Sequence, residues 1–151
     1  MTGLKVMVVE DNEFDMHVIT EALKYAKINY FALTDPKEAL QRAIDEQPGI
    51  AVLDMSMASM NGKALCKALQ THPATSHIKI IFLTASDSID DVLFGVNVHA
   101  AAYYRKGVPM KELLNKIVTI DFASNLRERV TEFSQYNKNL LQRYENRVNS
   151  H

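Results

Sequence analysis

Five short runs rich in aliphatic and β-branched residues recur along the chain: Leu4–Val9, Asn29–Leu33, Ile50–Leu53, Ile78–Leu83 and Ala100–Arg105. Each is short enough to be a strand buried on both faces. The segments between them carry helical spacing instead. Phe14, Val18, Ile19, Ala22, Leu23 and Ala26 mark a first helix, and Ala39, Leu40, Ala43 and Ile44 a second. The second opens on Asp35, Pro36 and Glu38, which read as a cap, a first-turn proline and a capping-box acid, and it closes at Pro48-Gly49. A third is predicted from Gly62 to Thr71, ending before Pro73. A fourth follows Ser86 or Asp87 with Ile89, Val92, Leu93 and Val96, and a fifth begins near Pro109 with Leu113, Leu114 and Ile117. Five alternations of strand and helix predict a doubly wound α/β domain, because right-handed crossovers lay helices over both faces of a parallel sheet.

The helical pattern does not stop where such a domain should end, near residue 120. Residues 121–151 are polar and helical in spacing, so the chain reads as a domain over 1–120 with a helical tail or linker over 121–151. Within the tail, Leu126, Val130, Phe133, Asn137, Leu140, Tyr144 and Val148 are separated by 4, 3, 4, 3, 4 and 4 residues, close to the seven-residue seam by which helices pair. This predicts a dimerising or signal-transmitting helix. Asp121, Ser124 and Asn125 offer caps for a separate helix, so a break near residue 121 is open. A helix folded back on its own domain would carry the same stripe.

Composition narrows the class. At 151 residues and 47% hydrophobic, the chain is long and apolar enough for one packed core. Residues 1–121 hold 15 acidic and 12 basic side chains, which argues against direct nucleic-acid binding by the domain, where a basic stripe is needed. No run approaches a membrane span, and the first apolar run is broken by Lys5 and followed by Glu10, Asp11 and Glu13, unlike a signal peptide. Cys66 is the only cysteine, so a reducing, cytoplasmic setting is expected. Its plain reading is a small buried hydrophobe. The histidines at 17, 72, 77, 99 and 151 have no metal-ligand spacing.

In an open parallel sheet, ligands bind beyond the carboxyl ends of the strands. The first strand runs into Glu10-Asp11-Asn12, the third into Asp54, the fourth into Thr84 and the fifth into Lys106. Three carboxylates gathered at one edge repel one another unless a cation neutralises them, and oxygen donors suit a hard ion such as Mg²⁺. Carboxylate nucleophile, hydroxyl, lysine and metal together suit phosphoryl transfer, in which positioning and charge neutralisation dominate.

Val8-Val9-Glu10-Asp11-Asn12, Val52-Leu53-Asp54-Met55-Ser56-Met57 with Met60-Asn61-Gly62, Phe82-Leu83-Thr84-Ala85 and Lys106 together resemble the bacterial two-component response-regulator receiver domain of the chemotaxis-regulator type, over about residues 3–120. The resemblance implies a flavodoxin-like fold and a phosphorylation-activated switch with Asp54 as phosphoacceptor, aided by Thr84 and Lys106. It implies Mg²⁺ held by Asp11, Asp54 and the Ser56 backbone carbonyl, with Glu10 assisting through water. Thr84 and Tyr103 would couple the phosphoryl group to the face formed by the fourth helix, fifth strand and fifth helix, and on to the C-terminal helix. Implied partners are a sensor histidine kinase or histidine phosphotransfer protein and a downstream effector domain or protein, with a homodimer through the tail. The protein would catalyse only its own phosphoryl transfer and dephosphorylation. Ser56 and Ser86, two residues beyond Asp54 and Thr84, would flank the phosphoryl group and, being small, favour a short lifetime.

Two positions depart from the family pattern. Gly107 stands where proline usually follows the lysine, so a trans Lys106-Gly107 peptide is expected and the aim of Lys106 is less fixed. Ala58 replaces a usual loop proline, which predicts a more mobile loop. Each residue also has a bland reading: Asp54 a surface acid, Thr84 a helix cap, Met55, Met57 and Met60 packing residues, and Tyr104 in place of Tyr103 as the inward ring. A haloacid-dehalogenase-type enzyme would place a second Asp where Ser56 stands, and a flavin carrier would not have acids in its first loop. The remaining alternative is a pseudo-receiver, an interaction or dimerisation module with the fold but no phosphorylation in the cell.

Overall fold

The computed structural model describes residues 3–150, so His151 falls outside it. In chain order the elements are β1 (Lys5–Val9), α1 (Glu13–Tyr25), β2 (Asn29–Leu33), α2 (Ala39–Glu46), β3 (Ile50–Leu53), α3 (Gly62–Thr71), β4 (Lys79–Thr84), α4 (Ile89–Asn97), β5 (Ala102–Arg105) and α5 (Met110–Asn149). The strands form one parallel sheet in the order β2-β1-β3-β4-β5. The chain winds outward from β1 to β2 on one side and through β3, β4 and β5 on the other. The reversal falls between β1 and β3, where a cleft opens at the carboxyl edge. Val9 pairs with Leu53 across that gap, so the residues that follow, Glu10 and Asp54, emerge side by side.

Successive strand residues point to opposite faces, and both faces are dry. Met7, Val9, Ala51, Leu53, Ile80 and Phe82 form one cluster with Ala39 and Ala43 of α2 and Leu65, Cys66 and Leu69 of α3. The alternate positions Val6, Val8, Val52, Ile81 and Leu83 are equally buried, as a sheet covered on both sides requires. The inward ring of β5 is Tyr103, which packs on the first cluster 6.2 Å from Phe82. Met55 and Met57 are buried in that cluster, the packing role expected of them.

Helix starts differ from expectation in two places. Asp35 caps a 3-10 turn over Pro36–Glu38, accepting from the Lys37 N–H at 3.0 Å, and Glu38 makes no capping bond for α2, so the expected capping box is not formed. The proline starts a tighter turn, and α2 proper begins after it. α2 stops at Gln47 (φ 52°), because the residue before Pro48 is disfavoured in the right-handed helical region. The cap of α4 is Ser88, one or two residues later than Ser86 or Asp87. Its hydroxyl accepts from the Asp91 N–H at 3.2 Å.

Two compact units divide the chain between Ile117 and Val118. α5 has no interruption at residue 121: Asp121, Ser124 and Asn125 are interior helix residues, not caps. Among the described residues no helix is long and apolar enough to cross a membrane.

Candidate active site

Four strand ends deliver the site. Glu10 and Asp11 follow β1, Asp54 follows β3, Thr84 closes β4 and Lys106 follows β5. Glu10, Asp54 and Thr84 are 1%, 3% and 0% exposed, so these carboxylates and the hydroxyl are buried at the strand ends and do not lie on an open surface. Lys106 Nζ lies 2.7 Å from Asp54 Oδ2, 3.1 Å from Glu10 Oε1 and 2.7 Å from Asp15 Oδ2. The carboxylate oxygens of Glu10, Asp11 and Asp54 come within 4.8 Å of one another.

Backbone amides fix the carboxylates. Asp54 Oδ1 accepts from the Ser56 N–H at 3.0 Å, Glu10 Oε1 from the Asn12 N–H at 3.1 Å, and Asp11 Oδ2 from the Ala58 N–H at 2.8 Å. The last bond changes the meaning of Ala58. Proline there would have no N–H to give, so alanine ties the loop after β3 to Asp11. Gly62 closes the same loop: its N–H donates to the Met55 carbonyl at 3.0 Å, and a Cβ would lie 2.0 Å from the Asp54 carbonyl oxygen. Only glycine lets the start of α3 come this close to the acceptor.

Burial pushes the Glu10 carboxyl up to about 7, with the Asp54 charge adding to the rise and the Asn12 amide and Lys106 opposing it. Burial works against the Lys106 ammonium, but the hydrogen bonds to Asp15, Asp54 and Glu10 together outweigh it and raise its pKa above the ordinary value. The lysine is a fixed positive charge. Cys66 is inert by comparison, its buried thiol pushed up to about 11.

Thr84 and Tyr103 both bond to Ser86 and not to a carboxylate. Thr84 Oγ1 accepts from the Ser86 N–H at 3.3 Å, and the Tyr103 hydroxyl donates to the Ser86 carbonyl at 2.7 Å. Both therefore grip the turn after β4. The Ser86 hydroxyl bonds to Asp91, which also pairs with Lys63 of α3, and those contacts hold the Asp91 carboxyl below the usual carboxylate range. The Lys106-Gly107 peptide is trans, as expected, and Gly107 has φ 97°.

Every residue singled out from the sequence lies at this edge except Tyr103, whose hydroxyl is on the adjoining turn. At Ser56 the amide bonds to Asp54, which leaves its carbonyl oxygen out of that bond. Asp15, Ala58 and the close approach at Gly62 were not foreseen. No spacing in the sequence singles out Asp15, one of two acids in the first turn of α1.

A doubly wound sheet with buried acids and a lysine at its switch point defines a class, and the comparisons define the family. Residues 6–118 match the response regulator receiver domain. The chain belongs to that family. It is 29% identical over 114 residues to the transcriptional regulatory protein HprR of Escherichia coli, covering 76% of this chain and 50% of HprR. It is 28% identical over 104 residues to the response regulator PleD of Caulobacter vibrioides, covering 69% of this chain and 23% of PleD. The chain thus spans half or less of these relatives. The chemotaxis protein CheY4 of Vibrio cholerae superposes with a TM-score of 0.72 at 23% identity, over 79% of this chain and 99% of CheY4, a likeness of fold. Receiver domains are the signalling modules of two-component response regulators.

Proposed function

We propose that the chain is a phosphorylation-activated switch whose acceptor is the Asp54 carboxylate. The observation that carries this reading is Asp54 itself: 3% exposed, 2.7 Å from a lysine, and within 4.8 Å of two further acids. An Asp54 oxygen attacks the phosphorus of a phosphohistidine on a sensor kinase or phosphotransfer protein. A P–O bond forms, the P–N bond breaks, and the imidazole leaves with its electron pair and takes up a proton. Lys106 balances charge on the moving phosphoryl oxygens, and Thr84 donates a hydrogen bond to one of them.

The donor set, all oxygen and rich in charge, fits a hard divalent cation. Asp11, Asp54 and the Ser56 carbonyl would hold Mg²⁺, with Glu10 acting through water. The cation supplies charge neutralisation at the phosphoryl oxygens. When Thr84 turns toward the phosphoryl group it gives up the Ser86 amide, and the turn also held by Tyr103 repacks. This alters the α4, β5 and α5 face, where an effector reads the state. The receiver ends near residue 120, and the remainder of α5 is the transmitting element, pairing with a second copy of itself. Its support is the exposed seam of Leu126, Val130, Phe133, Leu140, Tyr144 and Val148.

Intact-mass measurement after incubation with Mg²⁺ and acetyl phosphate tests the acceptor. The wild type should gain one phosphoryl group and Asp54→Asn none. Labelling that survives the substitution moves the acceptor elsewhere, and a wild type that takes no label from acetyl phosphate or a histidine donor is a pseudo-receiver.

A further inference from the structure

An ammonium has three N–H donors. In Lys106 all three have carboxylate partners: Asp54, Asp15 and Glu10. Two of these partners, Glu10 and Asp54, are members of the acidic trio that would take the cation, and Asp54 is also the nucleophile of the proposed reaction. Asp15 is outside the trio. Once the trio binds metal and Asp54 carries a phosphoryl group, it is the partner of Lys106 that neither event claims.

The Lys106 N–H donates to the Thr84 carbonyl at 2.8 Å, which fixes where the side chain starts but not where its ammonium ends. Gly107 follows it at φ 97°, a conformation open to glycine, and nothing lies within 4 Å of where its Cβ would be. A long flexible stem is steered by what its end touches. Asp15, in contrast, is well anchored. Its N–H donates to the Asn12 side-chain cap of α1 at 2.9 Å, which fixes the first turn of the helix over the strand ends. The Asp15 side chain is 29% exposed, against 2% for Glu10 and Asp54, so it reaches the ammonium from the solvent side of the pocket.

From this geometry we infer that Asp15 is a positioning residue, a tether that keeps the Lys106 ammonium over the pocket while Asp54 gives its oxygen to the phosphoryl group. The inference rests on Asp54 being the acceptor. A tether and a brake are told apart by sign: a tether lost slows phosphorylation, whereas a competing anion lost speeds it.

The test is the rate of phosphorylation by acetyl phosphate at saturating Mg²⁺ on the full chain. Asp15→Asn should be slower by about tenfold, the factor expected for one charge-assisted hydrogen bond. Its Mg²⁺ affinity should not fall, because Asp15 is not in the trio, and Asp15→Glu should recover most of the rate. In a Lys106→Ala background, Asp15→Asn should cost nothing further. An Asp15→Asn protein as fast as or faster than wild type overturns the tether, as does an equal loss with and without Lys106. Relaxation of the Lys106 side-chain methylenes by NMR is read in parallel at saturating Mg²⁺, which engages the trio. Increased mobility in Asp15→Asn supports the tether, and unchanged mobility refutes it. That second readout does not depend on phosphorylation: if the wild type takes no label, the acceptor reading fails while the tether is still judged.

Discussion

Glu10 shows how one buried carboxylate can make metal binding depend on pH. Its pKa is raised to about 7 mainly because burial penalises the anion, and the neighbouring Asp54 charge adds to that. A raised carboxyl pKa means that the resting pocket holds a proton below about pH 7, and a divalent cation must expel it. Proton and Mg²⁺ therefore compete. Mg²⁺ affinity should rise as pH is raised from about 6 and level off above about 7, with a limiting slope of about one decade per pH unit for one linked proton. Calorimetry in buffers of different ionisation enthalpy would show proton release near pH 6.5, and Glu10→Gln should remove it. Affinity flat from pH 6 to 8 would rule out Glu10 as the linked group. At this scale the sequence was informative wherever a reactive residue directly follows a strand, because strand ends converge by topology alone. The convergence of Asp11, Asp54, Thr84 and Lys106 on one edge is legible that way. Asp15 is not, since an acid on a first helical turn is ordinary and only the tertiary approach of Lys106 gives it a role. Ala58 suggests looseness from the sequence alone, and only the structure shows that its N–H is used, on Asp11.

At the scale of elements, the loop from β3 to α3 is tied to the site at three points. The Ser56 and Ala58 amides hold Asp54 and Asp11, and Gly62 brings the first turn of α3 against the acceptor's own carbonyl. A methyl group at residue 62 would be 2.0 Å from that oxygen, and the atoms it meets are backbone, with no rotamer to yield. Gly62→Ala should therefore destabilise the fold by about 3 kcal/mol, the upper part of the range for overpacking, despite alanine's better helix propensity. Urea denaturation checks this, and a variant within 0.5 kcal/mol of wild type, in the manner of an ordinary surface substitution, would show that the loop can shift. The strands and α3 were legible from periodicity, since Asn29–Leu33, Ile50–Leu53 and Gly62–Thr71 stand as expected. Helix starts were less so: Pro36 begins a 3-10 turn, and Ser88, not Ser86 or Asp87, caps α4, because several capping residues in a row leave the choice to packing.

For the whole molecule, the open matter is what the second half of α5 does. A single helix of residues 118–149 with a buried stripe would need a partner, and here the stripe is exposed: Leu126 at 49%, Phe133 at 63% and Tyr144 at 67%. An isolated helix gains little from propensity alone, so a seam of this length is stabilised chiefly by what covers it. In heptad terms Val130, Asn137 and Tyr144 occupy one core position, and Leu126, Phe133 and Leu140 the other. A β-branched residue at the first with leucine at the second favours two strands, and asparagine at the first fixes register at some cost in stability. The expected assembly is thus a parallel pair in which Asn137 meets its own copy. Sedimentation of the full chain against a version ending at Ile120 should give a dimer for the first and a monomer for the second, with Mg²⁺ and acetyl phosphate shifting the full chain only. Asn137→Leu should tighten association while admitting other registers or stoichiometries, and Leu140→Asp should dissociate the pair without lowering phosphorylation of Asp54. Monomers of both lengths, with and without phosphodonor, would exclude the pairing and leave the exposed stripe to a different protein.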